Sequence, residues 1–281
     1  MRIAYLGPAG TFTEDALRGA LADGVGFEPL RTATIREAIL AVEQGEADRA
    51  LVPFENSIEG SVRVTLDTLA FDAQGVAVVG EHDFSVRAHL IAERPLALSA
   101  VRTVLSHPQP LAQCARFLRE QLPQAEQITA TSTAEAVRTV CESPSPYPSA
   151  AAIGARAAAE LYGGVVLAEG IEDEANNVTR FVWIAPAGTE ASGGEAWKTT
   201  LVFSELGEDH PGALVNALRE FSSREVNLTR IESRPLRLGL GRYMFFCDLE
   251  GALSEARVAE AVGALRDKAE SVRILGSYPT R

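Results

Sequence analysis

The amino-acid sequence predicts an α/β protein, a larger α/β domain followed by a smaller ferredoxin-like βαββαβ domain. Three observations predict it. Short apolar runs alternate with helical periodicity through the first part of the chain. The segment Ala185–Gly194 is Gly-rich and carries no large apolar group, as expected of a flexible linker. Beyond it the patterns follow the order strand, helix, strand, strand, helix, strand.

Arg2–Leu6 reads as the first strand. Thr11-Phe12-Thr13-Glu14 is a capping box, in which hydroxyl and carboxyl satisfy amides left unpaired at a helix start, and it opens a helix through about Ala22. The same device stands at Thr34–Glu37 and at Ser132–Glu135. After the second box, Ile35, Ala38, Ile39 and Val42 form one helical stripe. Further strands are expected at Ala50–Pro53, Val76–Gly80, Thr103–Ser106, Ala151–Gly154 and Arg180–Ile184. Leu111, Cys114, Ala115 and Leu118 give another stripe. In the second part, strand Thr199–Leu206 precedes a helix with Leu214, Ala217, Leu218 and Phe221 on one face. Strands Leu228–Ser233 and Arg242–Leu249 flank the turn Gly239-Leu240-Gly241. A helix presenting Val258, Ala261, Val262 and Leu265 leads into a last strand at about Val272–Tyr278.

The chain has 281 residues, enough for two domains, and a hydrophobic fraction of 46% with 23% charged residues, ordinary for a globular protein. Its net charge of −12 argues against nucleic acid and anionic membranes as partners. From Glu195 onward 12 Lys+Arg meet 13 Asp+Glu, so residues 1–194 carry −11. An anionic substrate therefore needs a locally positive pocket. The first residues show no signal-peptide pattern, and no apolar run approaches the ~20 residues of a membrane span, so a cytoplasmic protein is expected. Cys114, Cys141 and Cys247 form no C-x-x-C pair and read as small buried thiols in a reducing compartment, without a disulfide or zinc. His82, His89, His107 and His210 lack metal-ligand spacing. Phosphate-loop, nucleophile-elbow and H-E-x-x-H motifs are absent, leaving cofactor-free chemistry or ligand binding.

Four segments lie where a strand and a helix or loop meet. Gly7-Pro8-Ala9-Gly10-Thr11 either turns backbone amides toward an anion or is simply a tight turn. Val52–Val62, with Glu55-Asn56-Ser57, follows a strand end, where open α/β sheets gather ligands; its polar residues either donate to a bound acid or cap a turn. Ser106-His107-Pro108-Gln109-Pro110-Leu111-Ala112-Gln113-Cys114 has the same placement, and His107 is either catalytic or structural. In Asn176-Asn177-Val178-Thr179-Arg180-Phe181, Arg180 pairs either with a substrate carboxylate or with an internal acid such as Glu172, Asp173 or Glu174.

Taken in order, Gly7–Phe12, Val52–Val62, Ser106–Cys114 and Ala151–Ile184 resemble prephenate dehydratases. The tail, through Pro211-Gly212-Ala213-Leu214 and Ile231-Glu232-Ser233-Arg234-Pro235, resembles the ACT domain that follows them. The resemblance covers essentially the whole chain, and with no chorismate mutase segment ahead of the first strand it implies the monofunctional form. It implies a catalytic domain over residues 1–185, built as two lobes similar to type II periplasmic binding proteins. One lobe takes about 1–80 with 165–185, the other 81–164. Residues 186–197 are then the linker and 198–281 the ACT domain.

The resemblance also implies that Thr179 is the catalytic threonine, with Arg180 beside it as the countercharge for a carboxylate. Asn56, Ser57, Ser106, Gln113 and Thr11 are implied substrate contacts, with no cofactor and no metal. The reaction is then loss of CO2 and water from prephenate to give phenylpyruvate in L-phenylalanine biosynthesis. A threonine hydroxyl is too weak an acid to be the sole proton source, so positioning within a relay is the expected role of Thr179. L-Phenylalanine is expected as allosteric effector between two ACT domains, held by Gly212, Ala213 and Leu214 of one and Glu232, Ser233, Arg234 and Pro235 of the other, with Asn227 also among the implied contacts. That arrangement requires a homodimer or homotetramer. Arogenate dehydratase is the nearest alternative, and a non-catalytic small-acid binding protein the alternative of another class.

Overall fold

The computed structural model describes residues 1–21, 26–142, 147, 149–207 and 211–280. The first lobe opens with β1 (Arg2–Leu6), α1 (Phe12–Ala20), β2 (Glu28–Thr32), α2 (Ile35–Glu43) and β3 (Arg49–Asn56). A two-residue β4 (Gly60–Ser61), α3 (Arg63–Asp67), a π-helical turn and β5 (Val76–Ser85) follow. The second lobe comprises β6 (His89–Ala92), β7 (Thr103–Ser106), α4 (Pro108–Gln113), α5 (Ala115–Gln121), β8 (Glu126–Thr129), α6 (Thr133–Cys141), β9 (Ala150–Gly154), α7 (Arg156–Tyr162) and β10 (Val165–Glu169). The chain then returns to the first lobe as β11 (Val178–Pro186). The last part is β12 (Trp197–Ser204), α8 (Ala213–Ser222), β13 (Leu228–Pro235), β14 (Tyr243–Glu250), α9 (Ala256–Arg266) and β15 (Ser271–Pro279).

The first sheet runs β2-β1-β3-β11-β5, with β4 hairpinned onto β3; the second runs β10-β6-β9-β7-β8. Both are mixed, because β11 lies antiparallel to β3 and β5 while β6 lies antiparallel to β9 and β10. One expectation is corrected here. Residues from about 165 do not rejoin the first lobe, since Val165–Glu169 pairs with β6 of the second sheet. The crossover comes later, between Glu169 and Val178, and β5 carries the first lobe on to Ser85.

The capping boxes form as their sequences dictate. The hydroxyls of Thr11, Thr34 and Ser132 accept from the amides of Glu14, Glu37 and Glu135. Glu14 and Glu37 reach back one residue beyond the cap, to the amides of Gly10 and Ala33. The first helix ends at Ala20, and the expected end at Ala22 lies outside the described residues. The Leu111–Leu118 stripe is two helices rather than one, because Cys114 leaves helical geometry at φ −113° and ψ 18°.

The last sheet has the order β13-β14-β12-β15, that of a ferredoxin-like βαββαβ unit. Leu201, Phe203, Cys247 and Leu249 pack beneath α8 and α9. The alternate residues Val202, Met244 and Phe246, with Leu275 and Tyr278, turn the other way and join one core with Phe54, Val78 and Val182 of the first lobe. The flexible tether expected at Ala185–Gly194 therefore does not leave the domains apart. Ala191 itself packs against this shared core. Gly276 lies so close to β5 that a Cβ there would be driven into the Val78 carbonyl.

Candidate active site

The first lobe brings two strand ends together. On the shared ladder Thr179 pairs with Asn56, and Val178 leads into β11 from the loop that carries Asn177. Asn56 is fixed in orientation by its surroundings. Its Oδ1 accepts from the amides of Ile58 and Glu59 at 2.9 and 3.0 Å, which leaves Nδ2 facing β11. That nitrogen donates to Thr179 Oγ1 at 2.9 Å and to Asn177 Oδ1 at 2.8 Å. Thr179 Oγ1 is consequently an acceptor toward Asn56, and its own hydrogen is free to donate elsewhere.

The chain of amides continues across the lobes. Asn177 Nδ2 donates to Gln113 Oε1 at 3.2 Å, and Gln113 Nε2 donates to Glu59 Oε1 at 3.3 Å. Gln113 belongs to α4 of the second lobe, so one directed hydrogen-bond path joins both lobes to Thr179. Gln113 and Asn177 line a cavity of about 310 Å³ with Ile58 and Glu59. Ser57 pins the same loop, its hydroxyl donating to the Asn176 carbonyl at 2.7 Å and accepting from the Val178 amide at 3.0 Å.

A larger cavity of about 730 Å³ lies between the lobes. Its walls include Gly7, Pro8 and Thr11 ahead of α1, Ser132 and Thr133 opening α6, and Arg31 and His107. Two nine-residue helices thus begin at this space, and the partial positive charge of each start favours an anion. Among the described residues, Arg31 is the one arginine or lysine in its wall. The acids nearby are already engaged. Burial would raise the Glu14 carboxyl, but Arg18 and the Gly10 amide outweigh that and hold it below the usual range. Glu135 is gripped by Arg138 at 2.6 and 3.0 Å. Arg31 itself stands 3.9 Å from Glu14, and with the two helix starts it is what this wall offers an anion.

The expected site residues divide. Asn56, Ser57, Gln113 and Thr179 come together, while Thr11 lies in the wall of the larger cavity, which those four do not line. Ser106 is fully buried and its hydroxyl donates to the Ile153 carbonyl at 2.8 Å, so here it braces the second sheet. Arg180 does not meet the cavity. Successive strand residues project to opposite faces, and with Thr179 turned to Asn56 the Arg180 guanidinium points toward the C-terminal sheet. There it meets Asp248 at 2.7 Å, with Glu55 and Glu81 at 3.4 Å. The internal ion pair was the right alternative, though with different acids from those the nearby sequence offered. His107 lines the large cavity, and its Nδ1 accepts from the Gln109 amide.

The expected effector residues also divide. Gly212 caps α8 with φ +92°, a left-handed conformation that suits glycine, and Ala213 and Leu214 begin the helix. His210 lies outside the described residues. Asn227 accepts from the Glu250 amide through its carbonyl at the approach to β13. On that strand Ser233 and Pro235 are exposed while Glu232 is half-buried. Arg234 departs from the expectation, because its guanidinium turns inward and holds Asp67 at 3.0 and 2.8 Å.

Asn177 is the residue that sequence reasoning missed. It is 2% exposed and sits in the middle of the amide path, yet the motif containing it drew attention only to Thr179 and Arg180. Arg31 was missed as well, since nothing local to Glu28–Thr32 marks it as a cavity wall. The thiols match their reading in part. Cys114 and Cys247 are buried, which pushes each up to about 12, while Cys141 is only half-buried. No helix among the described residues is long and apolar enough to cross a membrane.

A prephenate dehydratase family model matches residues 3–189, and an ACT domain model matches residues 202–267. The prephenate dehydratase of Mycolicibacterium smegmatis is 43% identical over 288 residues, which span 99% of this chain and 90% of that protein. Among solved structures, the prephenate dehydratase of Arthrobacter aurescens in complex with L-Phe superposes with a TM-score of 0.89 at 38% identity, covering 99% of this chain and 90% of that one. GqqA, described as a novel type of quorum quenching acylase, superposes with a TM-score of 0.87 at 30% identity, covering 100% of this chain and 98% of that one. With a two-lobed α/β domain matched over its length and a βαββαβ domain docked behind it, the chain belongs to the prephenate dehydratase family, hydro-lyases of phenylalanine biosynthesis, and carries a C-terminal ACT domain.

Proposed function

We propose that the cleft between the lobes holds the prephenate dianion, with the Thr179 hydroxyl as donor to the oxygen that leaves. The observation that carries this reading is the fixed direction of the Asn56–Thr179 hydrogen bond, which frees the Thr179 hydrogen. In the reaction the ring carboxylate breaks its bond to the ring and departs as CO2. The electron pair enters the ring, which becomes aromatic, and the para C–O bond breaks. The departing oxygen takes up a proton and leaves as water. Aromatisation drives the step, so the protein's tasks are orientation, charge compensation and help for a poor leaving group. Thr179 hands the departing oxygen a hydrogen bond within a relay, because its own acidity is too low for it to be the ultimate donor.

Arg31 and the starts of α1 and α6 compensate the substrate carboxylates, a role expected of Arg180 from sequence but unsuited to a guanidinium already held by three acids. Gln113 and Asn177 close the path from the second lobe and so make the geometry at Thr179 depend on both lobes. Prephenate is favoured over arogenate in this cavity. Arogenate adds an ammonium, and Glu135, the acid in the wall, is already paired with Arg138.

L-Phenylalanine, bound in the Arthrobacter aurescens structure, is proposed as the effector here, seated against the Gly212–Leu214 helix start of one ACT domain and the outer residues of β13 of another. β13 is the edge strand of its sheet and exposes Ile231, which suits pairing between two copies. The test has two arms. Turnover of prephenate to phenylpyruvate should show a higher kcat/KM than turnover of arogenate to phenylalanine, and absence of phenylpyruvate would end the reading. Titration with L-phenylalanine should release heat and alter the rate, and a null result in both would remove the effector role.

A further inference from the structure

We infer that Asp248, a residue of the C-terminal domain, is a positioning residue for the dehydration, acting on Thr179 through Arg180. The inference rests on the role proposed for Thr179. Asp248 is fully buried in β14, where no substrate reaches it. Its Oδ2 accepts from Arg180 Nη2 at 2.7 Å and from Arg230 Nε at 3.0 Å, and its Oδ1 accepts from Thr200 at 2.8 Å. The Phe54 ring lies against both guanidinium groups, 4.8 Å from that of Arg180 and 4.7 Å from that of Arg230. Phe54 is the extra residue of a bulge in β3, unpaired between Pro53 opposite Phe181 and Glu55 opposite Arg180, and Arg180 and Thr179 are neighbours on β11. The junction therefore grips, from behind, both strands whose front carries the Asn56–Thr179 bond.

Why the side-chain grip matters follows from the ladder. The register between β11 and β3 shifts between Arg180 and Phe181, so regular pairing is interrupted one residue past Thr179. At such an interruption the backbone position depends on what anchors the side chains. Arg180 supplies that anchor, and Asp248 at 2.7 Å is its shortest ion pair, against 3.4 Å for Glu55 and Glu81. The surrounding charges balance, with Arg180, Arg230 and Lys198 against Asp248, Glu55 and Glu81. Removing the Asp248 carboxylate leaves two buried guanidinium groups converging on one vacated point. Such groups separate, because their repulsion is poorly screened away from water. Arg180 then moves and takes the end of β11 with it. The ACT domain is in this sense part of the scaffold of the dehydratase site, and β13, which carries the proposed effector residues, reaches that scaffold through Arg230.

The experiment is steady-state kinetics of prephenate turnover by the full-length chain. Asp248→Asn, shown folded by circular dichroism, should lower kcat at least tenfold with KM within about twofold of wild type. In a Thr179→Ala background the same substitution should cost less than twofold more, because the residue through which it acts is gone. Unchanged kcat in folded Asp248→Asn, or a full additional tenfold loss in the Thr179→Ala background, overturns the proposal. Should Asp248→Asn not fold, Thr200→Val keeps the buried charge and removes one of its hydrogen bonds. It should lower kcat about threefold with KM unmoved, and a wild-type kcat there overturns the proposal equally. Wild-type kcat in Thr179→Ala alone would instead remove the role given to Thr179, which separates the two failures.

Discussion

Asn56→Asp tests the direction of the hydrogen bond on which the site depends. The substitution preserves size and keeps an oxygen for the amides of Ile58 and Glu59. It replaces Nδ2, now 2.9 Å from Thr179 Oγ1, by a second carboxylate oxygen. Thr179 then turns its hydrogen inward and donates to that carboxylate. A hydrogen bond to a charged group is worth about 1.5–3 kcal/mol, and it must be broken before the hydroxyl can serve the departing oxygen. At about 1.4 kcal/mol per decade, kcat should fall about 10- to 140-fold. The new oxygen also faces Asn177 Oδ1, which Nδ2 now meets at 2.8 Å, so Asn177 must rotate and lose its bond to Gln113. KM should rise too, since a negative charge is added beside a dianion. Phenylpyruvate absorbance measures both constants, and thermal melting checks that the variant is folded. A folded Asn56→Asp enzyme with wild-type kcat would refute the argument from hydrogen-bond direction.

Arg31→Gln should raise KM for prephenate about tenfold or more, from about 1.5 kcal/mol for one lost charged hydrogen bond, with kcat changed less; an unchanged KM would remove Arg31 from the cavity's function. Asp15 on α1 is pushed up to about 6, chiefly by burial and further by Glu160 and Glu14, against the lowering effect of the Ala157 amide on α7 of the other lobe. A carboxyl whose folded pKa lies above its unfolded value of about 3.9 favours the folded state while protonated, so stability should fall as pH rises from about 4 to about 6 and level off above. Asp15→Asn should flatten that slope and melt higher than wild type at pH 8, and identical melting curves would count against it. Gly276→Ala forces a methyl into the Val78 carbonyl and should destabilise by roughly 1–3 kcal/mol, the usual cost of overpacking, seen as a lower Tm; an unaltered Tm would mean the domains can part there without cost.

Much of the fold is legible because local chemistry and the final architecture agree. The three capping boxes start helices where they should, and the apolar stripes of the C-terminal domain leave little choice but βαββαβ. The strands that escape notice are of two kinds. Glu28–Thr32 and Glu126–Thr129 lie at sheet edges and are polar, so neither alternation nor burial marks them. His89–Ala92 is buried on both faces and too short to show a period. Val165–Glu169 was placed in the wrong lobe because its partner, β6, lies far back along the chain. The candidate site shows the same boundary. Strand periodicity separates Thr179 from Arg180, but nothing local says which face meets a cavity and which meets another domain. Asn177 is an ordinary polar residue until Asn56 and Gln113 arrive on either side of it.

The core shared by the first lobe and the ACT sheet has a consequence for dissecting the protein. Cutting the gene after Pro186 would strip the cover from Val78, Phe54 and Val182 and strand Arg180 without its deepest counter-ion, leaving a sticky, unevenly charged fragment rather than an unregulated enzyme. For the same reason this molecule should melt in a single step. A regulatory message would have to travel as a small slide across a permanently glued face, because a sensor that lets go would take the catalyst's foundation with it.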